Sequence, residues 1–209
     1  MSEAKMELPK VTERKRQMRE VGYRLFSEKG IETVSMQEIA DRCDVAKCNM
    51  YRYYPSKLDL AVAISADAWG KFTVQNYEHT DQEQLTAAQR YEYWLESMLD
   101  LYRNHKDLLR FNQFLNVYVA NEPVSEEQMQ PFTGVIGTLA ERFHAAYELG
   151  KQDGTLKTDV PEEMIFSTTL HLMLAATTRY AVGLVYENRD PEKELAELKD
   201  MLMQRYTCA

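Results

Sequence analysis

Glycine and proline, the residues that interrupt regular structure, are the strongest constraint on this chain. Only 8 Gly and 6 Pro occur in 209 residues, and they gather at a few places. Long stretches without either residue favour long helices over many short strands. Apolar residues make up 44% of the chain and aromatics 11%, enough to build a core and to exclude a disordered polymer. A chain of this length buries roughly 70% of its unfolded surface, so a core forms without covalent staples. An all-α fold is expected.

Apolar spacing places the helices. Met18, Val21, Gly22, Leu25 and Phe26 share one helical face, within a segment of about residues 11–29 that Gly30 can terminate. Ser35 and Glu38 have capping-box spacing at the start of a second segment, with Met36, Ile39, Ala40 and Cys43 inward. A short third segment, about 46–53, stops at Tyr54-Pro55, because proline disfavours helix in the residue before it. Ser56 caps a fourth, reaching about residue 79. It is long enough to tie a small head (1–55) to a separate body (56–209). Five more follow at about 86–104, 106–121, 125–152, 160–188 and 191 onward.

The net charge of −8 argues against a generic basic coat or a polybasic membrane binder. Its distribution matters more than its sum. Residues 1–60 hold 12 Lys and Arg against 10 Asp and Glu, and the remainder holds 13 against 23. A slightly basic head therefore precedes an acidic body. The N-terminal residues lack an apolar signal core, no long apolar run exists, and the three cysteines form no even set. A reduced, cytoplasmic protein is expected, without membrane contact.

The tight turn at Cys43–Ala46 between the second and third segments fits a helix-turn-helix, whose last helix enters the DNA major groove. Met50 and Tyr54 fall inward, leaving Lys47, Cys48, Asn49, Arg52 and Tyr53 outside. Lys and Arg can contact guanine edges or phosphates, and Asn can pair with adenine. Ser35 with the amides behind it, and Lys57, offer phosphate contacts.

Leu25-Phe26-Ser27-Glu28-Lys29-Gly30, then Thr33-Val34-Ser35-Met36-Gln37-Glu38-Ile39-Ala40, Val45, Tyr51-Arg52-Tyr53-Tyr54 and Lys57 resemble the N-terminal domain of the TetR family of bacterial transcription regulators. The resemblance covers about residues 12–64. Gly150 to Gly154, followed by Leu156 and Asp159, looks like that family's linker before its dimerising helices. The resemblance implies an all-helical homodimer that reads a palindromic double-stranded operator and holds an inducer in its body, in most members as a repressor. It makes Ser35, Lys47, Asn49, Tyr51, Tyr53 and Lys57 contact residues, with Tyr51 and Lys57 clamping the backbone and Lys47 and Asn49 reading bases. Three departures stand out. Asp44 occupies the turn position usually held by Gly, Ala46 replaces a common capping Ser, and Cys48-Asn49 replaces Gly-Thr. Cys48 near Cys43 raises a redox-sensor alternative, against which a small buried thiol is the commoner role.

The body's Trp94, Met98, Tyr102, Phe111, Phe114, Tyr118, Phe143, Tyr147 and His171 suit an adaptable pocket for a lipophilic or aromatic effector, or plain core packing. The segment from about 160 is apolar almost all round, so it must be covered on two sides. Phe166, Leu170, Leu174 and Leu184, with Leu195, Leu198, Met201 and Leu202, are expected at a two-fold interface. No phosphate loop, nucleophile elbow or His spacing for a metal appears, so neither an enzyme, a cofactor nor a metal is expected. The alternative reading is a small-molecule carrier or enzyme-like helical protein with a degenerate head.

Overall fold

The computed structural model describes residues 9–77, 84–183 and 190–208. Among the described residues nine α-helices follow one another without a strand. They are α1 (Pro9–Lys29), α2 (Met36–Arg42), α3 (Lys47–Tyr53), α4 (Lys57–Tyr77), α5 (Ala87–Asn104), α6 (Lys106–Ala120), α7 (Glu126–Asp153), α8 (Glu162–Val182) and α9 (Pro191–Tyr206). The expected all-α architecture is correct. Helix α8 stops at Val182, where Gly183 takes φ +102°, a left-handed backbone suited to glycine.

Two compact units divide the chain. One runs through Asp67 and also takes Phe111–Phe132; the other takes Ala68–Arg110 and Thr133 onward. A cut at 55/56 does not describe this packing. Helix α4 continues the first unit past residue 56, and the C-terminal part of α6 returns to it. The cause is aromatic burial: Phe111 is fully buried, stacked on Phe26 (6.5 Å) and tilted against Tyr23 (5.5 Å).

The first unit's core is Met18, Leu25, Phe26, Val34, Ile39, Met50, Leu60 and Ile64. Gly22 lets α1 and α4 approach closely, since a Cβ there would meet Ile64 Cδ1 at 2.8 Å. Helix α2 is capped as expected on one side only. The Glu38 amide donates to Ser35 Oγ at 3.0 Å, but the Glu38 carboxylate pairs with Lys29 (2.8 Å) and Arg42 (3.3 Å) instead of closing a capping box. Two nearby cations outcompete one backbone N–H for that carboxylate. Complete reciprocal caps form at Ser56 with Asp59 and at Ser125 with Gln128.

In the second unit α5 packs on α8 and α9. Tyr91, fully buried, hydrogen-bonds Thr169 Oγ1 at 2.8 Å, tying α5 to α8. Lys199 of α9 reaches Glu92 (2.9 Å) and Glu96 (2.5 Å) of α5. The turn after α7 closes the unit. The Asp153 carboxylate accepts from the first amide of α5, Ala87 N (2.8 Å), and Lys157 N donates to Tyr206 O at the end of α9.

Candidate functional site

In the first unit, α1 to α3 carry the expected helix-turn-helix. The turn works because Asp44 adopts φ +52°, the one non-glycine residue with positive φ among those described. A short polar side chain tolerates that geometry better than most. Val45 N then donates to Ala40 O (3.0 Å), and Asn49 N to Ala46 O (2.8 Å), which starts α3. Ala46 occupies the N-cap of α3 without any side-chain cap bond. Met50 is fully buried and Tyr54 nearly so, its hydroxyl accepting from Arg19 Nη1 (3.2 Å). These two anchors set the rotation of α3.

That rotation leaves Lys47, Cys48, Tyr51 and Arg52 exposed and Asn49 and Tyr53 half-buried. Lys47 Nζ lies 5.9 Å over the Tyr51 ring, and Arg52 lies 5.2 Å over the Tyr53 ring. Each cation is held against an aromatic face, which limits its rotamers, and Arg52 Nη2 also donates to the Tyr53 hydroxyl (3.3 Å). No acid occurs within α3. Ser35 is exposed at the start of α2. Cys43 is buried, and burial pushes its thiol pKa up, which disfavours the reactive thiolate that a redox sensor needs.

Lys57 departs from the expected phosphate clamp. Its ammonium donates to three carbonyls of the α1–α2 turn: Ile31 (2.7 Å), Glu32 (3.1 Å) and Val34 (3.2 Å). An ammonium has three N–H donors, and all three are taken. Its aliphatic stem sits beside Tyr118, with Nζ 5.3 Å from the ring, and burial lowers its pKa against the opposing Glu32 and Glu122 carboxylates. Lys57 holds the turn together from inside.

The second unit contains a cleft of about 350 Å³ between α5 and α7. Trp94 and Phe143 line it. Their rings sit 5.3 Å apart, and Phe166 stacks on Trp94 at 5.4 Å and 7°. The other pocket expectations need correction. Phe111, Phe114 and Tyr118 belong to the first unit, where Phe114 lies against Gly30. Met98 is sealed in the core, and Tyr102 pairs with Tyr180 and Lys106. Tyr147 donates to the Thr158 and Val160 carbonyls, and His171 faces outward. Aromatic content marks cores and clefts alike, so composition could not separate them. The missed lining residues include the polar Arg90, Tyr93, Thr138, Glu141 and Arg142, with Tyr91 and the small or apolar Leu139, Ala145 and Ala146. The spacing of Arg90 with Trp94, and of Thr138 with Arg142, placed each pair on one helix face, which was the available signal.

The interface expectations also need correction. Leu170, Leu195 and Leu202 are buried in the chain's own core, and Phe166 belongs to the aromatic cluster. Leu174 and Leu198 are half-buried, Met201 is exposed, and Leu184 lies outside the described residues. The exposed apolar side chains of α8 are Met164, Leu172 and Val182. When a helix is apolar on every side, periodicity does not tell the core stripe from the outer one.

His144, Glu148 and Glu162 bring three ligand-type atoms within 4.8 Å of one another. They are the described group best placed to hold a cation. They already form ion pairs, His144 Nδ1 with Glu162 (3.0 Å) and Glu148 with Lys151 (2.5 Å). The hydrogen bond and charge of Glu162 raise the His144 pKa.

Residues 19–64 match the family described as bacterial regulatory proteins, tetR family. Through this head the chain is similar to the tetR family. The HTH-type transcriptional repressor KstR of Mycobacterium tuberculosis is 41% identical over 51 residues, 24% of this chain and 23% of that protein. The match therefore spans about a quarter of the relative's length. Solved structures extend the likeness to the whole fold. A transcriptional regulator from Saccharomonospora viridis, in complex with choline, superposes with a TM-score of 0.78 at 13% identity, over 95% of this chain and 100% of that one. AibR, in complex with isovaleryl coenzyme A and operator DNA, superposes at 0.69 and 17% identity, over 91% and 98%. The head is thus alike in sequence and the body in fold alone. No described helix is long and apolar enough to cross a membrane.

Proposed function

We propose that the chain is a ligand-responsive transcriptional repressor. It acts as a cytoplasmic homodimer on a palindromic DNA operator and performs no catalysis. The carrying observation is the outward face of α3, an acid-free turn and a half with Lys47, Asn49, Tyr51 and Arg52 set by two buried anchors. Residues 1–55 read DNA in this proposal, and 56–209 hold the effector and the dimer contact. Lys47 and Asn49 read base edges; Ser35, Tyr51, Arg52 and Tyr53 meet the backbone, and Cys48 lies against the groove wall. The name of KstR, a repressor, supports this for the head, and the operator-bound AibR complex supports it for the fold.

The effector sits in the α5–α7 cleft, whose volume falls at the small end of ligand pockets. Choline and isovaleryl coenzyme A, bound by two proteins of this fold, differ in charge and size, so this chain's own cleft decides its ligand. Ligand favours a state whose two heads misfit successive major grooves, about 34–36 Å apart. Met164, Leu172, Val182 and Met201 form the contact between copies. Selection of bound duplexes from a random pool tests the proposal. A palindromic consensus is expected, lost on Asn49→Ala with Arg52→Ala. Recovery of no consensus at physiological salt would sink it.

A further inference from the structure

Arg90 has a donor with nothing to bond. Its Nε is buried at the α5–α7 cleft and has no hydrogen-bond partner. A guanidinium does not shed its proton to escape this, so the unmet donor persists until an acceptor arrives. Among the described residues none bonds it. Tyr91, the next residue, is committed to Thr169, and Glu141, which also lines the cleft, makes no ion pair with Arg90. Beside Arg90 lies the aromatic wall of Trp94 and Phe143, and a second guanidinium, Arg142, borders the same space.

An apolar wall next to a buried, unpaired cationic donor is complementary to one ligand chemistry. We infer that the cleft takes a small amphipathic anion, with a short aliphatic or aryl body against Trp94 and Phe143 and an anionic oxygen group on Arg90 Nε. A carboxylate or phosphate oxygen, carrying charge of its own, makes a stronger bond to the guanidinium than a neutral carbonyl does. The volume of about 350 Å³ favours a short body over a long lipid chain. The inference rests on the reading of this cleft as the effector site.

Calorimetric titration of the full chain tests it, with octanoate against octanamide and 3-phenylpropionate against 3-phenylpropanamide. Octyltrimethylammonium serves as a cationic probe, and octanoyl coenzyme A distinguishes a free acid from a phosphate-bearing thioester. The acids are expected to bind about ten-fold tighter than their amides, with the preference lost in Arg90→Gln. Unliganded Arg90→Gln is expected to unfold at or above the wild-type temperature, because it removes an unmet donor. A clearly lower unfolding temperature together with unchanged acid binding would mark Arg90 as structural and overturn the inference. Equal binding of acid and amide, or binding of the ammonium alone, abolished in either case by Ala146→Trp, overturns the anion inference and keeps the cleft as the effector site. Binding of no probe overturns the anion inference. If Ala146→Trp also leaves effector-driven operator release in cells intact, the reading of the cleft falls with it.

Discussion

Two residues control the reading helix more than their own contacts suggest. Ala46 starts α3 without a side-chain cap, leaving an amide of the first turn unmet where the chain meets its groove. Ala46→Ser is expected to stabilise the protein by about 1 kcal/mol, read as a raised midpoint in thermal unfolding. Lys57 closes the α1–α2 turn with three bonds to carbonyls. Lys57→Met strands those carbonyls and is expected to cost about 1–3 kcal/mol of stability. It should leave the salt slope of operator binding unchanged. Arg52→Ala should lower that slope by about 0.9, one phosphate's share. The reverse pattern, a shallower slope in Lys57→Met with full stability, would restore the phosphate role.

At the scale of elements, the α7–α8 corner is held by a titrating pair. His144 on α7 meets Glu162 in the first turn of α8, and this partnership raises the His144 pKa. A histidine whose pKa rises on folding contributes stability that is full below its unfolded value, about 6.5, and fades as pH climbs through the raised folded value. His144→Gln should therefore unfold earlier than wild type at pH 6 and match it at pH 9. Thermal scans at both pH values check this, and a gap that widens toward pH 9 would contradict it. Added Zn²⁺ that widens the gap at pH 7 would show the three ligand groups holding a metal.

For the whole molecule, the acidic total and the basic head are compatible because they occupy different stretches of chain. Under the proposed function, acid beyond residue 60 limits non-specific attraction to nucleic acid and leaves the affinity to a few contacts on α3. The outer apolar side chains of α8 and α9 are large for a solvent face. Leu172→Glu with Met201→Glu should convert dimer to monomer in sedimentation velocity and abolish binding to a palindromic operator, while the helical circular dichroism is kept. A double variant that sediments like wild type would place the contact elsewhere.

Helix positions were legible in the sequence because their signals are local: a cap, a breaker, or an apolar residue each third or fourth place. Met50 and Tyr54 turned inward and the Ser35 cap followed from residues within one turn of each other, while the turn at Asp44 came from the resemblance. What needed the tertiary structure was every choice between equivalent apolar partners. Phe111, Phe114 and Tyr118 read as pocket residues until packing put them with the head, and Leu195 and Leu202 read as interface until packing buried them. Glu38 and Lys57 carried charges whose partners are distant in sequence or are carbonyls that no side-chain pattern reports. No local signal marks Arg90, whose Nε lies buried without a partner at the α5–α7 cleft. Local chemistry sets what each segment becomes; burial and pairing depend on which segments meet, and that is a property of the folded chain.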